Sequence, residues 1–247
     1  MNKSKKRRRV SATRRLRPFW IVIVLVAIVL VGGGAFVLAW PGFAPDDVVV
    51  SGNVLVPRAE IVQRARISMH TNMWLQNTGA IARRVETIPD VAVAHVSRVP
   101  PATVRVWVRE RVPFALVRSG KQSVVVDRDL RILTPQHEVP VLPVFEIGAA
   151  ADLTPGVFLT QGNAVALRDD YDALLKARVV PARLGFDRWG GLVATMHDGV
   201  RVLLGDDGDL EKKLVLVDPI LSQVVRNQRR VATVDLRAPN TPVVVYK

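Results

Sequence analysis

The feature that most limits what this chain can become is an uncharged stretch from Pro18 to Pro45, within which Phe19–Trp40 is almost wholly apolar. As a helix, those residues rise about 1.5 Å each and reach roughly 33 Å, matching a hydrocarbon core of about 30 Å. Phe19 and Trp20 at one end and Trp40 at the other sit where aromatic rings favour the membrane interface. Pro41-Gly42 then stops the helix, and Gly32-Gly33-Gly34 weakens it internally. Two other readings stand beside a permanent anchor. A cleaved signal peptide would use Gly42-Phe43-Ala44 as a small-x-small site, but its apolar region usually runs only about 7–15 residues. A buried core helix is rarely so long and so uniformly apolar. A retained single-pass anchor is the expectation.

Charge sets the orientation expected of that anchor. Residues 1–17 carry Lys3, Lys5, Lys6, Arg7, Arg8, Arg9, Arg14, Arg15 and Arg17 with no acid, while Arg58 is the first basic residue after Trp40. The positive-inside rule therefore puts the N-terminus in the cytoplasm and about 200 residues outside. The formal net charge of +13 falls to +4 once residues 1–17 are set aside. The excess belongs to a tail, read as a topology determinant, and gives no support to nucleic-acid binding. The chain has no cysteine, which excludes disulfides, thiolate metal sites and a cysteine nucleophile.

Beyond the anchor the pattern is α+β. Asp46–Val50 reads as a strand ending at Ser51-Gly52-Asn53, and Pro57 opens a short helix through Arg66. Thr78 is expected to cap a second helix with Ile81, Val85 and Ile88 on one face. Val91–Val99 and Thr103–Arg109 form a hairpin about Pro100-Pro101-Ala102, with Val104, Val106 and Val108 alternating against Arg105, Trp107 and Arg109. That gives a βααββ unit over residues 46–114. Residues 115–247 read as a mainly antiparallel β domain with two helices. Its expected strands are Leu116–Val117, Ser123–Val126, Leu130–Leu133, Val179–Phe186, Leu192–Met196, Val200–Leu204, Arg230–Leu236 and Val243–Tyr246. Asp127-Arg128-Asp129 and His197-Asp198-Gly199 are expected hairpin turns, and Val139–Pro143 an extended connector. Its helices are Gln161–Arg178, with Leu167, Tyr171, Leu174 and Leu175 on one face, and Leu210–Asn227, with Leu210, Leu214, Val217, Leu221 and Val224 aligned.

No catalytic constellation emerges. His70, His95, His137 and His197 lack the i, i+4 spacing of a helical zinc pair. Asp206-Asp207-Gly208-Asp209 begins like a calcium loop, but Val217 stands where the closing acid would be, so a turn with Asp209 as helix cap is expected. Asp169-Asp170 reads as a solvated helix face. There is no G-x-S-x-G, no S-x-x-K and no phosphate-binding glycine loop. No cofactor, metal or enzymatic activity is expected.

Several short motifs, in order along nearly the whole chain, resemble the FtsQ/DivIB family of bacterial cell-division proteins. After the basic tail and one span come Val48-Val49-Val50-Ser51-Gly52-Asn53, Ile88-Pro89-Asp90-Val91-Ala92 and Val96-Ser97-Arg98-Val99-Pro100-Pro101-Ala102-Thr103. Glu110-Arg111-Val112-Pro113-Phe114-Ala115 looks like the family's E-R-x-P-x-A exit from its POTRA module. Val126-Asp127, Leu142-Pro143, Leu203-Leu204-Gly205 with Glu211-Lys212-Lys213-Leu214, and Val234-Asp235-Leu236-Arg237 follow. Asp129 departs from a usual turn glycine, and Ala238 from a common aromatic.

The resemblance implies a cytoplasmic tail over 1–18, a transmembrane helix over 19–40, a POTRA-like domain over 46–114 and a family-type β domain over 115–247. It implies a non-catalytic, membrane-embedded scaffold at the division septum that helps control septal peptidoglycan synthesis. The implied partners are FtsB/DivIC-like and FtsL-like bitopic proteins, with other divisome components at the POTRA-like module. Val243, Val244, Val245 and Tyr246 are the expected partner-binding residues. They form a final strand approached through Pro239 and Pro242, which suits a sheet edge, and Val234, Asp235, Leu236 and Arg237 lie beside it. A membrane-anchored cell-wall enzyme and a POTRA-bearing transport or assembly component are the alternatives. The first would need a nucleophile or metal cluster, and the second several modules or a trailing barrel.

Overall fold

The apolar run folds as one helix. The computed structural model describes residues 17–135, 141–148, 152–160, 162–206, 210–226 and 230–247, and its first helix, α1, spans Arg17–Ala39. Within α1, Phe19–Val37 has a mean hydropathy of 2.8, and none of it is buried inside the protein. A helix apolar all round and uncovered by protein needs a non-aqueous surrounding. A single 3-10 turn at Pro41–Phe43 follows it.

The next elements are β1 (Asp47–Ser51), α2 (Arg58–Ala65), α3 (Thr78–Val85), β2 (Val91–Val99) and β3 (Thr103–Glu110). The sheet order is β1-β3-β2, with β1 parallel and β2 antiparallel to β3. Period-two alternation buries Val104, Val106 and Val108, and Val106 and Val108 join a core shared with Val48, Ile61, Ala65, Ile81, Val85 and Ala94. Gly52 follows β1 at φ +85°, and a Cβ there would stand 2.1 Å from the Val108 carbonyl oxygen, so only glycine fits. Asn77, rather than Thr78, caps α3: its side chain accepts from the Ala80 N–H at 3.0 Å, and Thr78 is already helical. Ile88 is buried as expected but lies beyond the helix, in the turn to β2.

The second unit comprises β4 (Ala115–Ser119), β5 (Gln122–Val126), β6 (Val144–Ile147), α4 (Gly162–Lys176), β7 (Arg183–Phe186), β8 (Leu192–Thr195), β9 (Arg201–Gly205), α5 (Leu210–Arg226), β10 (Val231–Asp235) and β11 (Val243–Tyr246). One eight-stranded sheet runs in the order β11-β10-β9-β8-β7-β6-β4-β5. Antiparallel ladders are in the majority, four against three parallel ones (β4–β6, β6–β7 and β9–β10). Phe145, Leu184, Ala194, Val202 and Val234 from the sheet pack with Leu167 and Leu174 of α4 and Leu214 and Val217 of α5.

Several sequence expectations are corrected. Leu130–Leu133 forms two isolated bridges, Val126 to Ile132 and Arg131 to Phe158, rather than a strand. Of Val179–Phe186, only Arg183–Phe186 pairs, because Val179 is drawn back onto α4 by its N–H bond to the Leu174 carbonyl (2.9 Å). β6 was not expected: four residues after a proline-dense stretch give too short a pattern. Leu175 is on the solvent side of its helix stripe, 38% exposed. Asp170 is buried, three residues after Leu167 and four before Leu174, so the Asp169-Asp170 pair is not wholly a solvated face. The basic tail before Arg17, His137, Val139-Pro140 and Asp207-Gly208-Asp209 lie outside the described residues, as do the side chains of Leu221 and Val224.

Arg111 and Arg131 join the two units. Arg111 pairs with Asp127, both nearly buried, and also reaches Asp129 Oδ2 at 3.2 Å. The Arg111 backbone N–H donates to the Asp90 carbonyl (2.8 Å) and its Nε to the Val91 carbonyl (3.3 Å). Arg131 Nη2 donates to the Glu86 carbonyl at 3.2 Å, just after α3, while its backbone N–H meets Asp127 Oδ1 at 2.8 Å. Both guanidinium groups lie over the Phe158 ring, at 5.7 and 5.4 Å from its centroid. Asp129, in the turn position expected of a glycine, thus supplies a second carboxylate, and the positive φ of that turn falls on Leu130 instead (62°).

Candidate partner-binding site

The last four expected site residues form β11, the terminal strand of the eight-stranded sheet, paired with β10 on one side. Val243 stands opposite Asp235, Val244 opposite Val234 and Val245 opposite Thr233. The Lys247 N–H donates to the Arg230 carbonyl (2.8 Å), whereas the Leu236 N–H donates away from β11, to the Leu203 carbonyl (2.8 Å). Backbone groups alternate in direction along a strand. Val243 and Val245 therefore bond with Asp235 and Thr233, and the N–H and C=O of Val244 point away from β10. No other described strand lies on that side.

The side chains divide in the complementary way. Val244 packs against the domain core with Val234. Val243 and Val245 stand on the other face, 55% and 49% exposed, and Tyr246 is 42% exposed. The site is therefore an outward-facing row of backbone polar groups flanked by exposed apolar side chains, the chemistry that accepts an added strand.

The neighbouring four-residue motif supports this edge. Val234 and Leu236 are buried, while Asp235 accepts from the Arg237 backbone N–H (3.1 Å) and guanidinium (2.5 Å to Nη2). Those hydrogen bonds from Arg237 hold the Asp235 carboxyl below the usual carboxylate range, against partial burial acting the other way. Gly205 ends β9 at φ +75°, and a Cβ there would lie 3.0 Å from Arg237 Cγ. Lys213 of the Glu211–Leu214 motif is buried and donates to Asp206 O (3.0 Å) and Oδ1 (3.1 Å), tying α5 to the end of β9.

Sequence reasoning missed Trp189. It is 71% exposed in the β7–β8 turn, with the Arg188 guanidinium 3.9 Å from its ring centroid. A shallow depression lined by Asp187, Trp189, Gly191, Gly205, Asp206 and Arg237 connects it to the motif. A lone tryptophan before Gly190-Gly191 was the available signal.

The described histidines do not converge on a site. His95 is exposed and stacks on Trp107 (centroids 5.5 Å apart), and His70 and His197 are exposed in loops. Among the described residues no group of three or more acidic or histidine side chains could hold a metal ion.

Comparison with known proteins agrees with the motifs. The family model for the FtsQ-type POTRA domain matches residues 43–111, and that for the C-terminal domain of cell division protein FtsQ/DivIB matches 115–237. Cell division protein FtsQ of Mycobacteroides abscessus is 26% identical over 224 residues, covering 91% of this chain and 68% of the relative. The protein of that name from Mycobacterium tuberculosis H37Rv is 25% identical over the same shares. That from Agrobacterium fabrum is 27% identical over 203 residues, 79% of this chain and 59% of the relative.

Proposed function

Because this chain belongs to the FtsQ/DivIB family of cell-division proteins and carries a membrane anchor, we propose that it is a non-catalytic bitopic scaffold of the division machinery. Its N-terminus lies in the cytoplasm and both folded units lie outside, following the one-sided basic tail. It concentrates at the septum, binds FtsB/DivIC-like and FtsL-like bitopic proteins, and through them helps control septal peptidoglycan synthesis.

The observation that carries the partner reading is the open edge of β11, with Val244 N–H and C=O directed outward and Val243 and Val245 exposed beside them. A strand from the FtsB/DivIC-like protein adds there, gaining main-chain hydrogen bonds and covering the valines. The POTRA-like unit, 46–114, provides separate docking for other division proteins. Photo-crosslinking in cells tests this. A photoreactive residue at Val243 or Val245 of the full chain is expected to capture the FtsB/DivIC-like protein, and a fluorescent fusion to gather at mid-cell. Capture from the POTRA-like unit alone, with none from β11, would overturn the assignment of the site.

A further inference from the structure

The loop between α2 and α3 carries large apolar side chains that its own unit does not cover. Met69, Trp74 and Leu75 are 41%, 44% and 59% exposed, although the loop itself is rigidly braced. Gln76 accepts from the Ser68 N–H (3.0 Å) and donates to the Ser68 and Thr71 carbonyls (2.7 and 2.8 Å). Arg98 donates to the Met73 and Gln76 carbonyls (2.7 and 2.6 Å), its guanidinium 5.7 Å from the Trp74 ring centroid. Exposed apolar side chains on a braced, hydrogen-bonded loop are not left over from poor packing. They mark a contact surface.

What that surface meets follows from its attachment. The Asn72 side chain, itself buried, donates to the Val37 carbonyl (3.0 Å), and the Met73 N–H donates to the Phe43 carbonyl (2.8 Å). Val37 is the last residue of the apolar span Phe19–Val37. The Leu75 N–H bonds back to the Asn72 carbonyl (3.0 Å), and three residues of chain reach at most about 11 Å in any case. The interfacial zone on each side of a bilayer is several ångströms deep, so a loop bonded to the end of the span sits within it. Many of its backbone groups, on Ser68, Thr71, Asn72, Met73, Trp74, Leu75 and Gln76, find partners within the protein, and the hydrated interfacial zone supplies water to a chain at that depth. Tryptophan is the residue that most favours this zone.

We infer that the Ser68–Gln76 loop is a second membrane contact. Met69, Trp74 and Leu75 enter the lipid interface beside the exit of α1, and Asn72 caps the helix end beneath them. The occupant of this apolar surface is the bilayer itself. The loop and the anchor together fix the tilt of the βααββ unit on the membrane. The inference rests on α1 crossing the bilayer and is independent of what binds β11.

The chain has no cysteine, so single labelling sites can be introduced cleanly. Full-length Leu75→Cys and Met69→Cys, each carrying an environment-sensitive fluorophore, would be reconstituted alone into phosphatidylglycerol/phosphatidylethanolamine vesicles. Val54→Cys is the control: it is 86% exposed and lies beyond the far end of β1, whose last residue is about 13 Å of strand from Asp47. The labels at 75 and 69 are expected to be blue-shifted and quenched several-fold more by shallow nitroxide lipids than the label at 54, with the order reversed for aqueous iodide. Equal iodide quenching at all three positions would overturn the inference. So would protection at 75 that appears in cells but not in pure vesicles, since a protein would then be the occupant. Two labelled positions guard against one variant failing to fold.

Discussion

Neutralising Asp127 measures how firmly the membrane-proximal unit is held to the β domain. Asp127 is 5% exposed, accepts from the Arg131 N–H at 2.8 Å and pairs with Arg111, whose side chain is 9% exposed. Asp127→Asn keeps the shape and removes the charge, leaving a nearly buried guanidinium. Removing one partner of a buried pair costs about 3–5 kcal/mol. Asp129 remains 3.2 Å from Arg111, but it is 74% exposed and an exposed partner returns only about 0–1 kcal/mol. A net loss of about 3 kcal/mol follows, which for a domain of this size lowers Tm by about 6–12 °C. Calorimetry of the full chain in detergent reads this directly, and amide exchange should rise over Glu86–Asp90, where Arg131 and Arg111 bond to backbone carbonyls. Asp129→Asn is the control, within about 1 kcal/mol of the parent. The double change Arg111→Met with Asp127→Leu should regain only the part of the loss that comes from unpaired Arg111, because buried Arg131 still loses Asp127 as the acceptor of its N–H and as a nearby carboxylate. A fall of less than about 2 °C for Asp127→Asn would show that solvent reaches the pair and that other contacts hold the junction.

Three further outcomes follow from the geometry. The carboxyl of Asp235 is depressed by Arg237, so its contribution is fully present above the ordinary carboxylate range and is lost as pH falls through the lowered value; the Tm difference between the parent and Asp235→Asn should be constant above about pH 5 and shrink below about pH 4. Lys213→Met keeps the buried stem but removes the bonds to Asp206, and should lower stability by about 1–3 kcal/mol in denaturant unfolding. Glu110 accepts from the N–H groups of Val54, Leu55 and Val56 at 2.8–3.0 Å, so Glu110→Ala should release that loop to amide exchange at a cost of about 1–2 kcal/mol, water replacing part of the bonding.

The βααββ unit was legible because its signals are local and repeated. Three alternating valines in β3, a proline before α2 and apolar residues at helical spacing in α3 all agree with the final packing. Asn77 displaced Thr78 as the cap because two capping residues stand side by side, and only backbone geometry separates them. β6 was hidden because a four-residue parallel strand gains its pairing from distant segments, β4 and β7, with no turn of its own to announce it. The edge position of β11 could be read from valines behind Pro239 and Pro242, but the outward direction of Val244 depends on its register with β10. The meeting of Arg111, Asp127, Arg131 and Phe158 joins residues up to 47 positions apart, and no local pattern encodes it. The motif residues Glu110 and Lys213 were visible as family signatures, while their roles, binding a loop and tying a helix to a strand end, required the fold.

The role of β11 is tested most directly by co-purification with Val244→Pro. The N–H of Val244 points away from β10, so proline deletes a donor from the open edge and places its ring there. The bonds of Val243 to Asp235 and of Val245 to Thr233 remain available. The full-length variant, solubilised from membranes, is expected to lose the FtsB/DivIC-like partner while its Tm falls by only a few degrees. Undiminished co-purification, with the variant folded, would contradict strand addition at β11 and place the partner elsewhere on the chain.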